Sequence, residues 1–332
     1  MVNVAINGFG RIGRLVLRAG INVPGIRFVA INDLGEPAAL AQLLKHDSVH
    51  GAFPGQIMCY GNTLEVNSQS IQLLQVKEPE KLPWKDLKVD VVVESTGIFT
   101  SKDGLMNHIN AGARKALLTA PAKGDGIKTM VLGVNEHTYK GEQLVSNASC
   151  TTNCFAPMAK IIFDNYGIKS GAMTTVHSFT QDQRLVDAPH KDLRRGKSAS
   201  LNIVPTSTGV ASAVMEVIPN LKGKIVASSI RVPTPDGSLC NFVAELETGG
   251  VTPEQVNELF LSVSKYHMKD ILEYSEEELV STDIIGNPHS CIFDSLLTEV
   301  VHNQMLTVTG WYDNEWGYSN RVIELIKYIM SH

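Results

Sequence analysis

Through the first half of the chain, short β-branched runs alternate with stretches whose apolar residues recur three and four positions apart. Residues 2–6, 27–31, 89–93, 116–119, 130–134 and 144–146 show the first pattern and predict strands. Residues 15–19, 38–45 and 106–111 show the second and predict helices. Strands separated by helices need crossover connections, which give a largely parallel sheet covered on both faces. Between residues 53 and 76 the pattern weakens into polar alternation, which reads as short antiparallel strands inserted in the same domain.

The character changes near Cys150. A helix is predicted over 150–166 and a strand over 173–178. The segment 179–204 is long, polar and rich in Arg, Lys, His and Asp, the mark of a functional loop or an interface. Strands follow at 225–232, 239–246 and 305–312, with a helix at 254–267 and another after Glu315. This half reads as an α+β domain with a mostly antiparallel sheet. The expected division is 1–149 and 150–314, and a length of 332 residues suits two domains of ~150 residues.

Composition narrows the function. Lys and Arg number 29 against 34 Asp and Glu, a net charge of −5, so nothing global grips nucleic acid or an anionic membrane. Any anion must be held by local geometry. No apolar run approaches the ~18 residues of a membrane span, and the first residues lack a signal-peptide pattern. Five cysteines make no disulfide framework, so the expected setting is the reducing cytoplasm with thiols free.

Gly8-Phe9-Gly10-Arg11-Ile12-Gly13 is a G-x-G-x-x-G run directly after the first strand and leading into a helix. Glycine permits the tight turn at Gly8, backbone approach to a pyrophosphate at Gly10 and close helix–strand packing at Gly13. The helix N-terminus then offers N–H groups to phosphates. Asp33 ends the second strand, where a carboxylate accepts from ribose hydroxyls and repels a 2′-phosphate. Strand, turn, helix and acid in register point to a Rossmann-type domain binding NAD; a plain structural turn with a surface aspartate is the bland alternative.

A second constellation lies at Ser149-Cys150-Thr151-Thr152-Asn153-Cys154. Ser149 suits the cap of the following helix, which places Cys150 where first-turn N–H groups favour a thiolate. Cys154, a turn further in, reads as a small buried hydrophobe. A Cys-x-x-x-Cys pair is also half of a zinc motif, but Cys59, Cys240 and Cys291 supply no partner spacing, so no metal is expected. His177 ends the first strand after the cysteine helix, where an imidazole beside Cys150 would exchange protons with thiol and substrate.

Together with Asn7–Arg14 and Ser146–Asn153, the runs His190–Arg195, Arg231–Pro235 and Trp311–Tyr318 resemble the phosphorylating glyceraldehyde-3-phosphate dehydrogenases along the whole chain. The resemblance implies an NAD-binding domain onto which residues 315–332 pack back, a catalytic domain and a homotetramer. It implies that Cys150 attacks the aldehyde of glyceraldehyde 3-phosphate, that His177 is the base, and that inorganic phosphate cleaves the thioester. Ser149, Thr151, Thr180, Arg195, Thr208, Gly209 and Arg231 match the family's anion-binding positions. The backbone at Gly10, Arg11 and Ile12, with Asp33, Lys77, Thr119 and Asn314, matches its cofactor positions. Lys77 stands where arginine is usual, and Ala188-Pro189 mixes the NAD-type and NADP-type patterns. Erythrose-4-phosphate dehydrogenase shares the main motifs, and an NAD-responsive binding protein with an idle thiol is the non-enzymatic alternative.

Overall fold

The computed structural model describes residues 1–332. The chain forms two compact units: Met1–Met130 with His137–Ala148 and Ser319–His332, and Val131–Glu136 with Ser149–Tyr318. No helix is long and apolar enough to cross a membrane.

The first unit contains β1 (Val2–Asn7), α1 (Arg11–Gly20), β2 (Ile26–Asn32), α2 (Pro37–Lys45), β3 (His46–Asp47), β4 (Gly51–Ala52), β5 (Ile57–Tyr60), β6 (Thr63–Val66) and β7 (Gln69–Leu74). It continues with β8 (Val91–Glu94), α3 (Lys102–Asn110), β9 (Lys115–Leu118), β10 (Lys128–Thr129) and β11 (Leu144–Ser146). Nine strands make one sheet in the order β10-β11-β9-β8-β1-β2-β7-β6-β5. β1 pairs in parallel with β2 and β8, and Val4, Ala5, Ile6, Val91, Val92 and Val93 are all buried. Such unbroken apolar runs are what a sheet covered on both faces demands. β5, β6 and β7 form the antiparallel insertion expected before residue 76 and extend one edge.

One expected strand is absent. Residues 130–134 form a turn after the short β10, although Met130, Val131, Leu132 and Val134 are buried. A short apolar run reports burial but does not by itself specify a strand.

The start of α1 is clamped to the turn after α2. Arg11 grips Asp47 through two N–H···O bonds of 2.9 and 3.1 Å, and the same carboxylate accepts the N–H groups of Val49 and His50. Burial opposes the ionised form, but the N–H of His50, the Arg11 guanidinium and the N–H of Val49 together hold this carboxyl far below its usual range. A depressed folded-state value stabilises the fold above the unfolded carboxyl's range, and that contribution disappears on acidification. Asp47→Asn should cost about 1–3 kcal/mol at neutral pH. In denaturant titrations its stability should fall less steeply than the parent's between about pH 5 and pH 2.

The second unit contains α4 (Cys150–Tyr166), β12 (Ile168–Ser178), β13 (Val204–Thr206), α5 (Val210–Val217), β14 (Ile225–Val232), β15 (Ser238–Leu246), α6 (Pro253–Lys265), β16 (Leu272–Ser275), β17 (Cys291–Val301) and β18 (Met305–Tyr312). Its seven-stranded sheet runs β13-β14-β12-β15-β18-β17-β16. The pairings are antiparallel except β12 with β14 and β16 with β17. β16 and β17 escape the sequence pattern because β16 is only four residues long and β17 does not alternate: its first five residues are all buried, and its register breaks between Asp294 and Glu299. α4 lies against this sheet where Gly310 leaves room: a Cβ there would come 2.6 Å from Cys291 Sγ and 2.7 Å from Met158 Sδ. The last helix, α7 (Trp316–Ser331), belongs to the first unit from Ser319 onward.

Candidate active site

In the second unit the site is built on the N-terminus of α4. Ser149 caps the helix by accepting the N–H of Thr152 at 3.1 Å, so Cys150 occupies the first helical position. β12 ends alongside and brings His177 Nε2 to 3.5 Å from Cys150 Sγ. Cys150 keeps part of its surface open, as attack on a substrate requires, whereas His177 is buried.

Two contacts bear on the tautomer of His177. Its Nδ1 lies 2.7 Å from the carbonyl oxygen of Ser178, which can only accept. Arg231 also lies 2.9 Å from Nδ1, and its guanidinium donates to the same carbonyl at 3.0 Å. A carbonyl and a guanidinium make opposite demands on Nδ1; the shorter contact, to the carbonyl, favours a proton on Nδ1, with the Nε2 lone pair toward the thiol.

Burial opposes the thiolate that the helix entrance favours. Burial pushes the Cys150 thiol up to about 11, although Arg231 and Thr151 pull it down. Burial, reinforced by the Arg231 charge, takes His177 down to about 3. Desolvation penalises both ions at once. An anion settling on Arg231 would cancel part of the charge that disfavours imidazolium, and so make His177 a stronger base when substrate arrives.

Arg231 suits that role. Its Nε is buried without a hydrogen-bond partner, no carboxylate pairs with it, and Thr180 Oγ1 lies 3.4 Å from Nη1. Arg195 is differently placed: it is ion-paired with Asp182, lies 3.6 Å from Asp192 and donates to Thr206 Oγ1 at 2.8 Å. Its charge is thus shared with two acids. Arg195 also reaches the carbonyl of Ser207 at 3.4 Å, next to Thr208 and to Gly209, the uncapped start of α5. Thr151 and Thr180 fall with the cysteine group, and Thr208 and Gly209 with Arg195.

Asn314 is held from below. Ser178 and Ser238 donate to its Oδ1 at 2.8 and 2.6 Å, which turns Nδ2 outward as the donor it presents. Sequence reasoning missed these two serines and also Tyr312. The buried Tyr312 hydroxyl bonds Thr151 and Thr175, each at 2.9 Å, and ties the α4 entrance to the strand carrying His177. Thr175 is two residues from His177 on one face of β12, a signal that strand alternation contains. Cys154 is fully buried with Sγ 3.7 Å from the Gly310 carbonyl, and burial raises its thiol well above the usual range.

In the first unit the expected cofactor residues gather at the C-terminal ends of parallel strands, where open α/β sheets bind ligands. Gly8 has φ of +92°, and a Cβ there would meet Thr96 N at 2.6 Å. A Cβ on Gly13 would lie 2.2 Å from the Gly8 carbonyl oxygen, so both glycines are obligatory for packing. Gly10 faces open space instead, and α1 has no side-chain cap, which leaves its N-terminus suited to a pyrophosphate. Arg11 and Ile12 form that first turn. Asp33 accepts from Phe9 N at 2.7 Å and Gly35 N at 2.8 Å, one bond per oxygen, and retains acceptor sites for ribose hydroxyls. Thr119 follows β9 and donates to the Glu94 carbonyl at 3.1 Å, whereas Lys77 is exposed beyond β7. These residues fit NAD.

Comparison with known proteins agrees along the whole length. Residues 2–102 match the family model for the NAD-binding domain of glyceraldehyde 3-phosphate dehydrogenase, and residues 149–314 match that for its C-terminal domain. The chain is 50% identical over 332 residues to glyceraldehyde-3-phosphate dehydrogenase from Geobacillus stearothermophilus, covering 99% of this chain and 98% of that one. It is 48% identical over 330 residues to glyceraldehyde-3-phosphate dehydrogenase 2 of Bacillus subtilis, covering 99% and 96%. The chain belongs to the glyceraldehyde 3-phosphate dehydrogenase family.

Proposed function

We propose that the protein is an NAD-dependent phosphorylating glyceraldehyde-3-phosphate dehydrogenase of glycolysis, producing 1,3-bisphosphoglycerate. The observation that carries this reading is the Cys150 sulfur 3.5 Å from His177 Nε2, with Arg231 beside the same ring and lacking an acid partner. Cys150 Sγ bonds to the aldehyde carbon while its proton passes to Nε2 and on to the former carbonyl oxygen, giving a thiohemiacetal. NAD bound in the first unit would supply the acceptor for the hydride of that carbon. His177 removes the hydroxyl proton as the carbonyl re-forms, leaving a thioester on Cys150. A phosphate oxygen then attacks the thioester carbon, the carbon–sulfur bond breaks, and the proton on His177 returns to sulfur.

Arg231 and Thr180, supported by Ser149 and Thr151 at the helix entrance, receive one phosphate. Arg195, Thr208 and Gly209 receive the other. Gly10, Arg11, Ile12, Asp33, Lys77 and Thr119 hold NAD, and Asn314 orients the nicotinamide carboxamide. Residues 1–149 with 315–332 serve the cofactor and 150–314 the chemistry. The exposed apolar side chains of Leu185, Val186, Leu193, Leu201 and Ile203 support a homotetramer. Five unpaired cysteines suit the cytoplasm.

Steady-state oxidation of glyceraldehyde 3-phosphate, varying NAD, NADP and inorganic phosphate, tests the assignment. Sustained turnover should need phosphate, prefer NAD and exceed that with erythrose 4-phosphate. Turnover independent of phosphate, or preference for erythrose 4-phosphate, would refute it.

A further inference from the structure

A buried polar network lies beneath the dinucleotide loop, and its polarity can be read in only one direction. The Trp84 indole N–H, a donor only, points at His108 Nδ1 at 3.0 Å, so Nδ1 is the bare nitrogen and Nε2 carries the proton. Nε2 lies 3.0 Å from Glu94 Oε2 and donates to it. From the other side, Val76 donates its N–H to Asn32 Oδ1 and accepts from Asn32 Nδ2, both at 2.9 Å, which fixes that amide. Asn32 Nδ2 also donates to Asn7 Oδ1 at 2.7 Å, so Asn7 Nδ2 faces Glu94 Oε2 at 2.6 Å. Thr96 donates its N–H and its hydroxyl to Glu94 Oε1 at 2.9 and 2.5 Å. Four donors converge on one fully buried side chain, and only a carboxylate accepts them all.

Each anchor immediately precedes or abuts a residue of the cofactor site. Asn7 precedes Gly8, Asn32 precedes Asp33 and Val76 precedes Lys77, while Thr96 is the backbone against which Gly8 packs. We propose that Glu94 and His108 are positioning residues for NAD: they lock the ends of β1, β2 and β8 and the turn before Lys77 into one preformed site. This rests on the reading of the first unit as the NAD site. The directionality gives the test its edge. Glu94→Gln puts an amide N–H₂ where donors already point, and neither end of the network can reverse. His108→Gln retains a donor toward Glu94; His108→Asn retains an acceptor for Trp84 but has no donor of that reach.

Calorimetric titration of NAD into the nucleotide-free protein, with the rate of iodoacetamide alkylation of Cys150 as control, decides the matter. Glu94→Gln and His108→Asn should each weaken NAD binding by about tenfold or more, roughly 1.4 kcal/mol. They should also raise the KM for NAD more than they lower kcat. His108→Gln should bind NAD within about threefold of the parent, and nucleotide-free alkylation should be unchanged in all. Parent-like NAD affinity in Glu94→Gln, or equal affinities in His108→Gln and His108→Asn, would overturn the proposal. If Glu94→Gln does not fold, the two His108 variants decide it. A parent protein that binds no NAD would refute the underlying site instead.

Discussion

Cys150→Ser should lose at least about 10⁴-fold of the aldehyde oxidation rate while binding NAD with parental affinity. Serine keeps the shape of the helix entrance and the hydrogen-bond reach to His177. It replaces a polarisable thiol by a hydroxyl far harder to deprotonate, next to an imidazole that burial and Arg231 have already made a weak base. The loss should appear in the formation of the covalent intermediate and in every later step. NAD titration should be indifferent, because the glycines, Asp33 and Asn314 that serve the cofactor are held by groups other than Cys150. Cys154→Ser provides the contrast. That thiol is buried behind the helix entrance, so the change should lower stability without removing turnover.

His177→Asn should lower the same rate by about 10²–10⁴-fold, the usual contribution of a positioned proton carrier. Its pH behaviour separates this role from a merely structural one. With the thiol pushed up to about 11, the thiolate fraction of the free protein grows tenfold per pH unit up to that value. In His177→Asn, alkylation of Cys150 should follow that slope, because hydroxide alone removes the proton. In the parent, Nε2 takes the proton directly and the slope should be shallower through the neutral range. Stability should respond as well. A buried histidine whose folded-state value is lowered to about 3 loses stability as pH falls through the unfolded imidazole's range near ~6.5, and His177→Asn should lose less there.

Much of this was legible in the letters because local physics and global fold agree. The Gly8–Gly13 run, its preceding apolar strand and Asp33 each specify one conformation, and the structure realises them together in β1, α1 and the end of β2. Ser149 and Cys150 were equally plain, since an N-cap and the first helical position are properties of neighbouring residues. What escaped depends on residues far apart in the chain. Tyr312 reaches Thr151 and Thr175 across 161 and 137 positions, and no periodicity encodes that meeting. The burial of Cys150 is likewise not local. A helix N-terminus is local and favours the anion, whereas the burial that pushes the thiol up is set by the fold. Arg195 shows the same limit: the sequence names a cation, and only the fold shows that Asp182 and Asp192 already share it.

The most direct measurement is mass spectrometry of the protein after exposure to glyceraldehyde 3-phosphate and NAD with inorganic phosphate withheld. A phosphoglyceroyl group should be found on the peptide containing Cys150, absent in Cys150→Ser, and should vanish when phosphate is added. An acyl group on another residue, or phosphate-dependent turnover with Cys150 unmodified throughout, would contradict the assignment of that sulfur as the nucleophile.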